Sequence, residues 1–197
     1  NYRMMDDNIG YIQIEEFDEV TSDQFSQALD SLIEQGMEAL VIDIRNNPGG
    51  ILDTVVAMLD ELLPEGTIVS VKDRNGTAQE YTSDADTKLT VPLTVLINGN
   101  SASASEIFAG AIKDYGVGTL VGTTTYGKGI VQTAFSLSDG TGVKITIEDY
   151  YLPSGKSIHK VGVDPDVEID LPDELKTYVT IPEDEDVQLQ KAIEILK

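Results

Sequence analysis

Two apolar runs constrain this chain most. Met37 to Ile44 reads MEALVIDI, and Val91 to Ile97 reads VPLTVLI. Neither alternates with polar residues, as a strand does when one of its faces meets water. Both therefore suit interior strands of a mainly parallel sheet that is covered on two sides. Parallel neighbours need crossover connections, usually helices. The chain supplies them. Thr21 and Gln24 have capping-box spacing, Val20 and Phe25 flank them as a hydrophobic staple, and Phe25, Ala28, Leu29, Leu32 and Ile33 share one face. Gly36 closes that helix. A second helix is expected over Leu52 to Leu63, closed by Pro64 and Gly66. A third is expected over Ser105 to Tyr115.

Further strands are expected within Asn8 to Phe17 and over Val117 to Val121. Thr67 to Lys72 and Ala78 to Thr82 flank Asn75-Gly76, a strong hairpin signal. Ile130 to Leu137 and Val143 to Ile147 flank Ser138 to Thr141. An amphipathic turn or two is expected over Val187 to Leu196. The order predicts an α/β domain with a mostly parallel core.

The length of 197 residues suits one domain. The net charge of -22, from 35 acidic and 13 basic residues, argues against nucleic acid and anionic membranes as partners. It also keeps a surface soluble. There is no cysteine, so thiol nucleophiles, disulfides and thiolate metal sites are excluded. The single histidine, His159, excludes a His-rich zinc site and is the one route to a Ser-His-Asp triad. No cofactor or metal is expected. No apolar run is long enough to cross a membrane. The chain begins at Asn1 in mid-sequence and reads as a piece of something longer, with any export signal or anchor outside it.

In open α/β sheets, sites gather beyond the carboxyl ends of the strands. Three loops are placed there by the pattern: RNNPGG after Ile44, NGNSAS after Ile97 and TTTYGKG after Val121. The second contains Ser101 and Ser103, and Ser105 follows two residues after it. A serine at a sharp strand-to-helix junction has the exposure that a nucleophile needs, and the N–H of the following residue faces developing negative charge. The spacing does not choose among the three serines, and any of them can serve instead as a helix cap.

A serine also needs a base. His159 lies in a polar tail segment. Lys128 lies between strands with no acidic neighbour in sequence. As a base it must be neutral, which burial favours and the negative chain opposes. Its glycine neighbours let the backbone come close. Gln132 can orient an amine without adding charge. Gly49 and Gly50 open the second helix, and either N–H can join that of Ala104 in a two-donor oxyanion hole. Gly122 to Gly129 also fits G-x-x-x-x-G-K. It has glycine where a P-loop needs Ser or Thr, and a strand follows where a helix is required.

The stretches NIGYIQIEEF, VIDIRNNPGG, VLINGNSASASEIFAGAIKDYG, VGTTTYGKGIVQ and GVDPDVEI together resemble the catalytic core of the C-terminal processing peptidases, also called tail-specific proteases. The resemblance covers roughly residues 9–169. It implies a ClpP/crotonase-like fold and a serine endopeptidase that cuts proteins near apolar C-termini through an acyl-enzyme. The middle serine of SASASE, Ser103, would be the nucleophile, the GKG lysine, Lys128, the base, and Gln132 its assistant. Ala104, Gly49 and Gly50 match the oxyanion donors. Tyr126 stands where the family often has Phe, and Asn100 where it often has Gly. The PDZ domain that usually precedes such a core is not in this sequence. The expected organisation is therefore a core at about 9–170 with an acidic extension at 171–197. A latent peptide-binding module of the same fold is the alternative. The resemblance further implies an exported location at a bacterial cell envelope, protein or peptide substrates, and a homo-oligomer or an adaptor as possible partners.

Overall fold

The computed structural model describes residues 1–176, 178 and 181–197, so Thr177, Val179 and Thr180 of the acidic extension lie outside the described residues. Its strands are β1 (Tyr2–Met4), β2 (Ile9–Gln13), β3 (Ala39–Asp43), β4 (Gly66–Asp73), β5 (Ala78–Ser83), β6 (Leu93–Ile97), β7 (Thr119–Gly122), β8 (Ile130–Ser136), β9 (Gly142–Tyr151) and β10 (Val167–Glu168). Its helices are α1 (Thr21–Glu34), α2 (Leu52–Asp60), α3 (Ala104–Tyr115) and α4 (Val187–Leu196). One sheet has the order β1-β2-β3-β6-β7-β10 and the other β5-β4-β9-β8.

The two runs without alternation are the two central strands of the larger sheet, and both of their faces are covered. Leu40, Ile42, Val95 and Ile97 join the main core with residues of α1, α2 and α3. Val41 and Leu96 join a second cluster with Leu189 and Ala192 of α4. The acidic extension thus ends in a helix that closes the far face of the sheet, and the sheet has no wet side to be read as alternation.

The expected ClpP/crotonase-like core with a mostly parallel sheet needs correction. β2, β3, β6, β7 and β10 run parallel, but β1 is antiparallel to β2. The whole second sheet is antiparallel. Antiparallel pairings therefore equal parallel ones. The cause is local: the turns at Asn75-Gly76 and Asp139-Gly140 close hairpins, which only antiparallel strands can use. The architecture is a pair of sheets, one mixed and one antiparallel, with flanking helices.

The start of α1 also differs from expectation. Thr21 lies inside the helix, and Val20 takes the cap position without a side-chain bond. The Thr21 hydroxyl instead donates to Glu16 O at 3.0 Å and Asp18 Oδ1 at 2.8 Å. Asp18 turns the chain into the helix by a route that capping-box spacing does not describe.

Because β3, β6 and β7 are parallel neighbours, the loops that follow them emerge side by side. This brings RNNPGG, NGNSAS and TTTYGKG to one edge.

Candidate active site

The three serines have different fates. The Ser101 hydroxyl donates to Ile44 O at 2.8 Å, and that of Ser105 donates to Asn47 O at 2.9 Å. Both side chains are buried and tie the NGNSAS loop and the first turn of α3 to the segment from Ile44 into RNNPGG. Ser103 is only half-buried. It precedes α3 with φ 57° and ψ -115°, a conformation that L residues rarely adopt. Such strain persists only where the surroundings hold it, and here the RNNPGG loop and the first turn of α3 do so. Ala102 N–H donates to Asn47 O at 3.0 Å, and Ser103 N–H donates to Glu106 Oε2 at 2.9 Å.

Glu106 is fully buried, and the sequence reading gave it no role beyond the helix start. Its carboxylate accepts Thr125 Oγ1 at 2.6 Å and Gly127 N–H at 2.7 Å on Oε1, and Lys128 N–H at 2.7 Å on Oε2. A buried carboxylate needs such donors, since an uncompensated charge there costs several kcal/mol. This one finds them in the lysine loop. It thereby fastens TTTYGKG to the head of α3. Thr125, likewise overlooked, accepts Val163 N–H at 2.7 Å and so ties the loop to the chain behind it. The cue was available in both: an acid three residues after the serine, and a threonine three before the lysine.

Lys128 itself is half-buried. Its ammonium joins none of the ion pairs among the described residues. The close backbone expected around it is present: a Cβ on Gly129 would lie 2.6 Å from His159 N. His159 thus meets this loop through its backbone. Gln132 is exposed, and its amide donates to Thr146 Oγ1 at 3.3 Å across the β8–β9 pair. Among the described residues no hydrogen bond joins it to Lys128. The β8–β9 ladder slips in register between Val131 and Gln132.

The glycine pair divides in role. Gly49 N–H is used, donating to Asn47 Oδ1 at 2.8 Å. Gly49 has φ 107°, and a Cβ there would lie 2.7 Å from Ala102 O, 2.8 Å from Ser103 Cβ and 3.0 Å from Ala104 N. It is the point where the RNNPGG loop touches the serine turn. Gly50 and Ala104 keep N–H groups without intramolecular acceptors among the described residues. Phe17 pins this loop from the other side, donating to Gly49 O at 2.9 Å and accepting from Ile51 N at 2.7 Å.

The root of RNNPGG is held by charge. Arg45 forms bonds to Asp43 at 2.6 Å and to Asp186 at 2.8 Å, and also donates to Gln188 Oε1 at 3.0 Å. Burial works against its charge, but Asp43 and Asp186 outweigh burial and hold the guanidinium pKa above its ordinary range. No local pattern marks an acid so distant in the chain as the one that closes this network. Among the described residues no cluster could hold a metal ion, and no helix is long and apolar enough to cross a membrane.

Comparison with known proteins identifies the family. The profile of peptidase family S41 matches residues 8–169. The chain belongs to peptidase family S41. It is 40% identical over 189 residues to a carboxyl-terminal-processing protease of Synechocystis, covering 96% of this chain and 44% of that protein. It is 39% identical over 174 residues to the carboxy-terminal processing protease CtpA of Bacillus subtilis, covering 88% of this chain and 37% of that protein. Among solved structures, the photosystem II D1 C-terminal processing protease superposes with a TM-score of 0.78 at 41% identity, over 85% of this chain and 45% of that one. The S41 chain therefore spans less than half the length of these relatives. The likenesses also correct the fold: it is that of the S41 peptidases, with a mixed sheet and flanking helices, not a ClpP/crotonase-like one.

Proposed function

We propose that this chain is the catalytic core of a serine endopeptidase that cuts proteins near their C-termini. The observation that carries the reading is the separation of the three serines. Ser101 and Ser105 are buried struts, while Ser103 is half-exposed at a strained turn whose amide shares an acceptor with Lys128. Neutral Lys128 takes the proton of Ser103 as Oγ attacks the peptide carbonyl. The oxyanion lies between Ala104 N–H and Gly50 N–H, the two free donors, with Gly49 holding them together. Lys128 then gives the proton to the leaving amine, and water activated by Lys128 releases the acyl group. Gln132 assists by orienting the amine, which requires its side chain to leave Thr146.

β8 is an edge strand that begins two residues beyond Lys128, so an extended substrate can pair with it. Substrates are proteins or peptides with apolar C-termini, by likeness to relatives whose names specify C-terminal processing. A cell-envelope location, and an oligomer or an adaptor as partner, are part of the same proposal and rest on the sequence's resemblance to the tail-specific proteases alone.

The test is cleavage of a loosely folded protein with an apolar free C-terminus. Ser103→Ala and Lys128→Ala should each abolish it. Cleavage that persists in Ser103→Ala would overturn the mechanism.

A further inference from the structure

Asn47 is the residue on which the two halves of the proposed oxyanion hole converge. It is fully buried in the loop between β3 and α2, where a polar side chain must find its partners inside the protein. It finds two of opposite kind. Nδ2 donates to Ile14 O at 2.9 Å, just beyond β2, and Oδ1 accepts Gly49 N–H at 2.8 Å. One partner is a carbonyl and the other an N–H, so the orientation of the amide is fixed, and the position calls for a side chain that donates and accepts at once. Aspartate would set a buried carboxylate against a carbonyl oxygen. Leucine would leave both backbone groups unpaired.

The carbonyl of Asn47 is equally engaged. It accepts Ala102 N–H at 3.0 Å and the Ser105 hydroxyl at 2.9 Å, from the residues on either side of the Ser103–Ala104 pair. One residue therefore holds the glycine turn through its side chain and the serine turn through its backbone. The chain just after it offers few amide donors. Pro48 has none, Gly49 N–H is taken by Asn47, and Gly50 N–H has no acceptor among the described residues.

We propose that Asn47 is a positioning residue for the oxyanion hole. Its side chain draws Gly49 N–H into the loop's own turn, which leaves Gly50 N–H for the oxyanion, and its carbonyl fixes that donor relative to Ala104 N–H. This role depends on the reading of Ser103 as nucleophile. As the Oγ–C bond forms, the π pair of the peptide carbonyl moves to its oxygen, and the two amides hydrogen-bond to the charge that develops. The Oγ proton goes to Lys128, and Asn47 gives up no proton.

The test compares Asn47→Ala with Asn47→Ser. Both lose the bond to Ile14 and open a similar space, but a serine hydroxyl can still accept Gly49 N–H, as hydroxyls do in turns of this kind. In Asn47→Ala, kcat for peptide cleavage should be about a hundredfold lower, the loss expected when one oxyanion donor is gone, with KM within about twofold. Affinity for a peptide aldehyde, whose oxygen takes the oxyanion position once Ser103 adds to it, should fall in parallel. Asn47→Ser should recover about tenfold of both, the size of one neutral hydrogen bond. Equal losses in the two variants would overturn the inference, since lost packing alone would then explain them. So would a kcat in Asn47→Ala at or above the parent value, which would mean that Asn47 withholds a donor from the oxyanion. The parent protein gives a reading that no folding defect can disturb. On aldehyde binding, the amide proton resonances of Gly50 and Ala104 should move downfield and that of Gly49 should stay. A moving Gly49 resonance beside a fixed Gly50 one would overturn the inference too. An inactive Ser103→Ala beside an unimpaired Asn47→Ala removes this inference alone. An active Ser103→Ala removes the nucleophile reading as well.

Discussion

Ser103 and Lys128 hang from the same oxygen. The backbone amides of both donate to Glu106 Oε2, at 2.9 Å and 2.7 Å, so the two nitrogens lie within the sum of those distances of each other. The two residues of the proposed dyad come from different loops, and neither loop fixes the other through their side chains. A buried carboxylate does so from beneath, through main-chain donors, and leaves both side chains free for chemistry.

Glu106→Gln should therefore damage activity out of proportion to its size. The amide keeps one acceptor oxygen and brings an NH2 against N–H donors. Charge-assisted bonds are worth roughly 1.5–3 kcal/mol each, so the variant should lose about 3 kcal/mol of stability. Cleavage should fall at least about tenfold. Urea unfolding and cleavage rates check both. Parent stability would mean that the four donors are served by water instead.

Gly49→Ala should abolish cleavage, because the atoms that its Cβ would meet are backbone or belong to the serine turn. Gly76 is the control, with φ +81° and nothing within 4 Å of its Cβ position. Gly76→Ala should cost about 1 kcal/mol from the positive φ and leave the rate intact. Equal losses of activity in the two variants would refute the close-contact argument.

Much of this was legible in the chain. The apolar runs located β3 and β6, Asn75-Gly76 located a hairpin, and small residues placed three loops at one edge. The choice of Ser103 could not come from spacing, because it depends on where the neighbouring hydroxyls end up. Ser101 and Ser105 find carbonyls on another loop, a tertiary fact. Gly49 and Gly50 looked equivalent, and only the Asn47 side chain distinguishes them. Strand β10, two residues long, has too little sequence to carry a period. The antiparallel sheet was present as hairpins but was absorbed into an expectation of parallel order.

Arg45→Ala should cost about 3–5 kcal/mol, since it leaves Asp43 and Asp186, each 2% exposed, without their cation. The loss should reach the site. Amides from Asn46 to Ile51 should exchange faster with solvent, because Arg45 anchors that loop to the cap of α4. A loss below about 1 kcal/mol with unchanged exchange would show that the ion pairs are solvated.

Stability should fall in alkali above about pH 10, and the tyrosines give the sign. Burial, then the Asp43 carboxylate, raise the Tyr11 pKa, and burial, then Glu148, raise that of Tyr150. Unfolded tyrosine ionises near pH 10. Above that pH the unfolded chain has released protons that the native chain still holds. Bound protons are then fewer in the unfolded state, and the stability slope with pH is negative. The stabilisation is complete below about pH 10 and is lost as pH rises toward the folded values. Each such group contributes up to about 1.4 kcal/mol per pH unit in that window. Urea unfolding at pH 9, 10 and 11 measures the slope. Tyr150→Phe should lessen it while altering stability little at pH 7. Tyr11→Phe should lessen it too, but at neutral pH it also loses the 2.8 Å bond to Asp43. Parallel curves for the parent and Tyr150→Phe would mean that the phenol ionises as readily in the folded protein as in the unfolded chain.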